Sequence, residues 1–367
     1  MALDALLEQL VALDGSDLYL TVGSPPMVNA RGEFRPAGDG QPLGAPDVLA
    51  LLREALPPSD LAAWERDGDA NAAYAIAGSD RFRVNAFRQR GEPGLVVRRI
   101  RATIQPLEDL ALPVVLARLS LEPRGLILVT GATGSGKSTT IAAMIDYRNS
   151  NLPGHIVTLE DPIEFVHPHR MSLVSQREIG FDTPSYAAGL KNALRQAPNV
   201  LLVGEIRDSE TAEAALHFAE TGHLVLATLH SMNANQALKR LLSLFPQGAE
   251  RGVLHQLSLT LRAVVSQRLV PRADGAGRAV AVEVLLNTPR VADLVKEGRI
   301  EEMKEAMLQA SVDGAQTFDG HLHDLYRAGA ITADTAVAFA DSPNDVRLKI
   351  RLEGGAHAPA TTIKIAR

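Results

Sequence analysis

The strongest chemistry in the chain is carried by nine consecutive residues, Gly131-Ala132-Thr133-Gly134-Ser135-Gly136-Lys137-Ser138-Thr139. They fit G-x-x-x-x-G-K-[ST], with an apolar strand-like run before them and a helical stretch after, the setting a phosphate-binding loop requires. Glycines let the backbone turn sharply and aim successive N–H groups at phosphate oxygens. A helix starting near Ser138 directs its positive end at the same anion. Lys137 neutralises charge, the Ser138 hydroxyl can ligate Mg²⁺, and Thr133, Gly134, Ser135, Gly136 and Thr139 complete the cradle. The pattern is that of a nucleotide-binding domain.

Such a loop needs a carboxylate for Mg²⁺ and a group to orient the attacking water. Two acidic sites end apolar runs that read as parallel strands, where an open α/β sheet places its ligands. One is Leu201-Leu202-Val203-Gly204-Glu205, a Walker B pattern ending in Glu. The other runs from Thr158 to Glu164 and holds Glu160, Asp161 and Glu164. Then His223 and His230 bracket the run 224–229. Zinc binding is not expected there, since the spacing is wrong and no cysteine can complete a site. The histidines read either as structural or as sensors of the γ-phosphate.

A third group is basic. Residues 80–101 carry Arg81, Arg83, Arg88, Arg90, Arg98, Arg99 and Arg101 against Asp80 and Glu92. On alternating strands this makes an arginine-lined face, either solvated and acid-paired or supplying one or two fingers to a bound γ-phosphate. A nucleic-acid surface is the weaker reading. Aromatic residues are 4%, too few for base-stacking platforms, and the net charge of −6 gives no global attraction to phosphates.

The elements that must hold these residues can be read from pattern. At 367 residues the chain has room for two domains. Leu3, Leu6, Leu7, Leu10 and Val11 mark a helical face. Strand-like stretches DLYLTV, NAAYAIAG, RFRVNAFRQR and LVVRRI follow, which predicts a small α+β domain over residues 1–101. From 102 to 352 the pattern becomes α/β. Apolar, β-branched runs at 126–130, 156–159, 200–203 and 224–228 alternate with helical stretches, the signature of a parallel sheet covered on both faces. Helices are expected in VADLVKEG, MKEAMLQA, FDGHLHDLYRAG and TADTAVAFA, and a loose tail over 353–367. Acids near the N-terminus and the absence of a long apolar run lead us to expect a soluble, cytoplasmic chain. With no cysteine there are no disulfides and no thiol nucleophile.

Together the motifs GSDLYLTVGSPPMVNARGEFRP, RFRVNAF, GATGSGKST, TLEDPIEFVHPHR, NALRQAPNVLLVGEIRD and TGHLVLATLHSMNANQA resemble the PilT/PilU family of type IV pilus retraction ATPases, within the secretion-ATPase superfamily. The resemblance runs to about residue 352. It implies a PAS-like N-terminal domain, a RecA-like ATPase domain and a homo-hexameric ring hydrolysing ATP with Mg²⁺. It places Glu205 as the Walker B acid, Glu164 as the residue that activates water (the reverse assignment of the two stays open), His223 and His230 as the His box, and Arg83 and Arg98 as arginine fingers.

PilT itself has an AIRNLI motif; here the corresponding stretch is Arg290-Val291-Ala292-Asp293-Leu294-Val295. HSMNANQALKRLLSLFP, QRLVP, EVLLNTP and DSPNDVRLKIRL look more like the PilU branch. That implies an accessory to a PilT-like retraction ATPase, working on an inner-membrane platform protein at the pilus base. Two other roles stay open, a nucleotide-dependent structural subunit and a primary retraction or assembly motor. Assembly motors usually carry a paired C-x-x-C zinc module, which this chain cannot build.

Overall fold

The computed structural model describes residues 2–30, 32–76, 80–100, 103–309 and 314–355. The chain divides into two compact units. The first is Met1–Ile104 together with Ile163–His167, and the second is Gln105–Pro162 with Pro168–Arg367. Arg101 and the expected boundary at 101/102 lie outside the described residues.

The first unit is built on an antiparallel sheet of β1 (Asp17–Thr21), β2 (Met27–Ala30), β3 (Glu33–Pro36), β4 (Ala70–Ala75), β5 (Arg81–Gln89) and β6 (Glu92–Ile100), in the order β3-β2-β1-β6-β5-β4. Helices α1 (Leu3–Ala12), α2 (Ala45–Ala55) and α3 (Pro58–Asp67) accompany it. One core collects Leu3, Leu6, Leu7 and Leu10 from α1, Leu51 and Leu52 from α2, and Phe82, Val84 and Ala86 from β5. Strand β5 shows why: its buried residues alternate with half-buried Arg81, Arg83 and Asn85, a period of two that gives the sheet one apolar and one polar face.

In the second unit the strands are β7 (Gly125–Thr130), β8 (Gly154–Glu160), β9 (Ser172–Glu178), β10 (Val200–Val203), β11 (Leu224–Leu229), β12 (Leu261–Pro271) and β13 (Arg278–Leu286). Their order is β13-β12-β7-β11-β10-β8-β9, parallel except for the β12–β13 hairpin. Every residue of β7, β10 and β11 is buried, as continuous apolar runs covered on both faces require. The connecting helices are α4 (Val115–Ser120), α5 (Lys137–Asn151), α6 (Tyr186–Ala193), α7 (Ser209–Glu220), α8 (Ala234–Leu242) and α9 (Glu250–Thr260). After the hairpin come α10 (Pro289–Glu297), α11 (Met303–Gln309), α12 (Phe318–Arg327), α13 (Ala333–Ala338) and α14 (Pro343–Gly355).

Two features depart from the pattern-based reading. The segment Ile163–His167, expected inside a continuous 102–352 domain, belongs to the first unit and takes Glu164 with it. Helix α14 runs through Gly355, so the expected loose tail does not begin at 353; residues 356–367 lie outside the described residues. Among the described residues no helix is long and apolar enough to cross a membrane.

Candidate active site

Parallel pairing lines the chemistry up along one edge of the second sheet. Thr130 pairs with Leu229, so the loop after β7 and His230 after β11 leave the sheet at the same level. Val203 pairs with Ala227 and with Leu159, so Gly204-Glu205 emerges between the end of β11 and Glu160 of β8. Adjacent strands lie about 4.8 Å apart. The phosphate-loop motif, His230, Glu205 and Glu160 therefore follow one another across four strand ends, the position where open α/β sheets bind ligands.

The loop itself is tightly built. Gly131 has φ +150, and a Cβ there would stand 2.4 Å from Ser135 Oγ and 2.6 Å from the Gln267 carbonyl, so only glycine fits. Helix α5 begins at Lys137 with no side chain capping its first amides, which leaves those N–H groups for an anion. Lys137 Nζ donates to the Gly131 and Ala132 carbonyls at 2.8 and 3.0 Å, folding over its own loop. Ser135 Oγ and Gln267 Oε1 are buried with no hydrogen-bond partner among the described residues. Thr133, Gly134, Ser138 and Thr139 complete the turn and the first helical turn.

Beside the loop opens a cavity of about 370 Å³, lined by Ser135, Gly136 and Thr139 on one side and by Leu110, Leu269 and Arg272 among others. The sequence reading did not find it, because its walls come from residues far apart in the chain; an arginine closing the β12 run was the only local signal.

The acids are held in a charge network. Arg207 Nε and Nη2 lie 2.8 and 2.7 Å from Glu205 Oε2, and Arg207 Nη1 lies 3.6 Å from Asp161. His230 Nε2 is 3.3 Å from Glu205 Oε1. Glu160 Oε1 accepts from Thr158 Oγ1 at 2.6 Å and from Gln176 at 3.1 Å. The turn carrying Glu205 is fixed from both sides: Gly204 N–H donates to the Leu159 carbonyl, and Thr228 Oγ1 donates to the Gly204 carbonyl. A Cβ on Gly204 would meet the Tyr186 hydroxyl at 2.9 Å. Burial raises that hydroxyl above the usual phenol range, and Asp161 adds to the effect. Arg207 and Tyr186 were not singled out from sequence, although Arg207 stands two residues beyond Glu205. Asp208 caps α7 by accepting from Thr211 N–H at 2.8 Å.

His223 does not join this group. It sits immediately before β11, a six-residue strand, so about 23 Å of chain separates it from His230 at ~3.3 Å per residue. Its ring meets its own helix end, with Nδ1 3.1 Å from the Phe218 carbonyl and the ring edge-on to Phe218.

The remaining candidates belong to the first unit. Arg83 and Arg98 are cross-strand partners on β5 and β6. Arg98 Nε is bound to buried Asp17 at 2.8 Å. That bond raises its pKa, with the charges of Asp17, Tyr19 and Glu164 adding. Arg99 pairs with Asp80 and Asp14, and Arg88 lies over Trp64. Arg83 is half-buried, and among the described residues it has no acid within salt-bridge distance. Three of the arginines read from sequence, Arg88, Arg98 and Arg99, are thus stacked or acid-paired.

Residues 69–319 match the family model described as type II/IV secretion system protein. The chain belongs to the type II/IV secretion system protein family. It is 47% identical to the type IV pilus ATPase PilU of Pseudomonas aeruginosa over 96% of this chain and 92% of that protein. To the retraction ATPase PilT of the same organism it is 40% identical, over 90% and 95%. A crystal structure of the pilus retraction motor PilT with bound ADP superposes with a TM-score of 0.88 at 38% identity, covering 94% of this chain and 98% of that one. Within the secretion family the chain therefore falls among the type IV pilus retraction ATPases, and its likeness is to PilU more than to PilT.

Proposed function

We propose that the chain is a mechanochemical ATPase, hydrolysing ATP to ADP and phosphate, and that as a PilU-like accessory it assists a PilT-like motor in pilus retraction. The observation that carries the reading is the capless start of α5 behind the 131–139 loop, with the unpartnered Ser135 hydroxyl beside it, in a family of secretion and pilus ATPases. A buried hydroxyl without a partner costs free energy until a ligand satisfies it.

The loop amides and Lys137 hold the phosphates, and the cavity beside Gly136 takes the nucleoside, with Leu110 and Leu269 against the base and Arg272 at its rim. Ser138 and Glu205 supply hard oxygen donors suited to Mg²⁺. The ion prefers a few protein oxygens plus phosphate and water. When bound, Mg²⁺ neutralises charge on the phosphates. By the family resemblance Glu164 orients the attacking water and Arg83, which has no acid within salt-bridge distance among the described residues, serves as the finger. Arg98 stays with Asp17 and shapes its field. His230 reports occupancy by its contact with Glu205. Catalysis of this kind is positioning plus charge stabilisation.

The family resemblance supports a homo-hexameric ring. Its partners would be a PilT-like ATPase and a platform protein at the cytoplasmic side of the inner membrane, with no role for nucleic acid. Lys137→Ala tests the site: turnover of the purified chain, alone and with a PilT-like partner, should fall at least about 100-fold with the melting temperature unchanged. Full turnover by this variant would overturn the assignment.

A further inference from the structure

Strand β12 contains the QRLVP stretch, and alternation sends its first two side chains to opposite faces of the sheet. Gln267 Nε2 donates to Thr140 Oγ1 of α5 at 2.9 Å, and its carbonyl occupies the space a Gly131 side chain would need. Arg268 turns the other way. Its Nη2 donates to the Met232 carbonyl at 3.2 Å, two residues beyond His230, and also to Asp341 Oδ1. Its Nη1 donates to the Phe339 carbonyl at 2.7 Å. The guanidinium lies 3.9 Å above the centre of the Phe318 ring.

These contacts join two bodies. Met232 belongs to the loop that leaves the site edge, whereas Phe318, Phe339 and Asp341 belong to α12 and the turn before α14. Helices α12–α14 pack around an apolar cluster of their own, Phe318, Leu322, Ala336 and Val346 against Val270 of β12, apart from the two main clusters of the unit. Asp341 and the following Ser342 open the DSPNDVRL stretch, which the proposed catalytic residues leave unexplained. A second brace sits beside it: Lys304 Nζ bonds Asp319 at 2.7 Å and Ser342 at 3.0 Å, and Asp319 accepts from the Asp341 amide.

We infer that Arg268 is a positioning residue that couples the loop following His230 to the C-terminal helices, so that a nucleotide on the 131–139 loop alters the hold on α12–α14. A planar fork with several donors suits this better than lysine would, since it bonds two carbonyls and a carboxylate while stacking on a ring. The side chain is 14% exposed, so these bonds are sheltered from water. Movement of the His230 loop must either break the Met232 bond or carry Asp341 and Phe339 with it. Sequence order gives the second strand face a matching role, because Gln267 touches the loop and helix that hold phosphate.

The inference rests on the ATPase reading, and its test separates the two. Hydrogen exchange of the full chain is followed over residues 339–352, with and without Mg²⁺ and a non-hydrolysable ATP analogue. Binding is read independently from a fluorescent analogue. The wild type should bind and change its exchange in that segment. Arg268→Lys should bind within about twofold of wild type yet lose the nucleotide-dependent change by about fivefold or more. Asp341→Asn, which leaves the arginine in place, should lose most of it and guards against a folding defect in the first variant. A wild type that binds without any change at 339–352, or both variants responding as wild type does, overturns the coupling. A wild type that binds no nucleotide overturns the ATPase reading and the coupling with it.

Discussion

The six-stranded sheet of the first unit and the seven-stranded sheet of the second put charge to use in different ways. In the antiparallel sheet charged residues alternate with core residues along β5, so arginines are spread over a whole face. Two of them are answered by acids from distant sequence, Arg98 by Asp17 and Arg99 by Asp14 and Asp80. In the seven-stranded sheet the central strands β7, β10 and β11 are buried throughout and carry no charged residue, so their charged neighbours lie beyond the strand ends. The antiparallel face thus spreads its arginines widely, with Arg98 and Arg99 neutralised and Arg83 left without an acid within salt-bridge distance among the described residues. The parallel edge concentrates a small set whose positions follow from pairing register.

The largest effect is expected at the parallel edge. Glu205→Gln should reduce ATP turnover about 100-fold while leaving nucleotide binding and melting temperature near wild type, measured by steady-state phosphate release. A variant with normal turnover would mean that the strand-end acid is only structural. Next, the two paired arginines should separate. Arg83→Ala should lower turnover about tenfold or more with little change in stability. Arg98→Ala should cost about 1 kcal/mol in denaturant unfolding, because it removes the ionic partner of buried Asp17. Equal effects of the two on turnover would erase the distinction between acting and neutralised arginines.

A subtler probe lies inside the parallel sheet. Glu283 on β13 is buried, accepts from the Ala234 amide at 2.7 Å, and burial raises its pKa to about 7. A carboxyl with a raised pKa contributes stability that is complete below its unfolded value and is lost as pH rises through about 7. Glu283→Gln should therefore be closest to wild type in unfolding free energy near pH 4. Above pH 7 its advantage over wild type should have grown by about 3 kcal/mol. A constant difference across that range would contradict the buried-charge account. The smallest effect is expected at the other strand end: His223→Ala should change the turnover of the isolated chain by less than about twofold, whereas His230→Ala should lower it about tenfold.

Legibility in the sequence follows the same contrast. The runs that became β7, β8, β10 and β11 were readable because burial on both faces demands unbroken apolar sequence. The glycine loop was readable because backbone geometry dictates its residues. Strand β9 was not, since Ser175, Gln176 and Arg177 interrupt an edge strand that needs cover on fewer sides. The short β2 and β3 were also missed, and β3 is exposed throughout. In the site, Glu205 and His230 could be named from motif alone. Arg207, Tyr186 and the cavity walls could not, because their significance comes from contacts between strands and helices that no local spacing encodes. His223 shows the opposite error, in which a motif pair seven residues apart is split by the length of the strand between them. Glu164 was found by motif, but its membership of the first unit was not, since nothing in TLEDPIEF marks where the chain changes partners.

The 131–139 loop and the neighbouring cavity should together form one nucleotide site. A structure of the full chain with Mg²⁺ and a non-hydrolysable ATP analogue tests it most directly. Phosphates should lie on the amides at the start of α5 and on Lys137, the metal beside Ser138 and Glu205, and the base against Leu110 and Leu269. A nucleotide bound elsewhere, or none at saturating concentration, would contradict it.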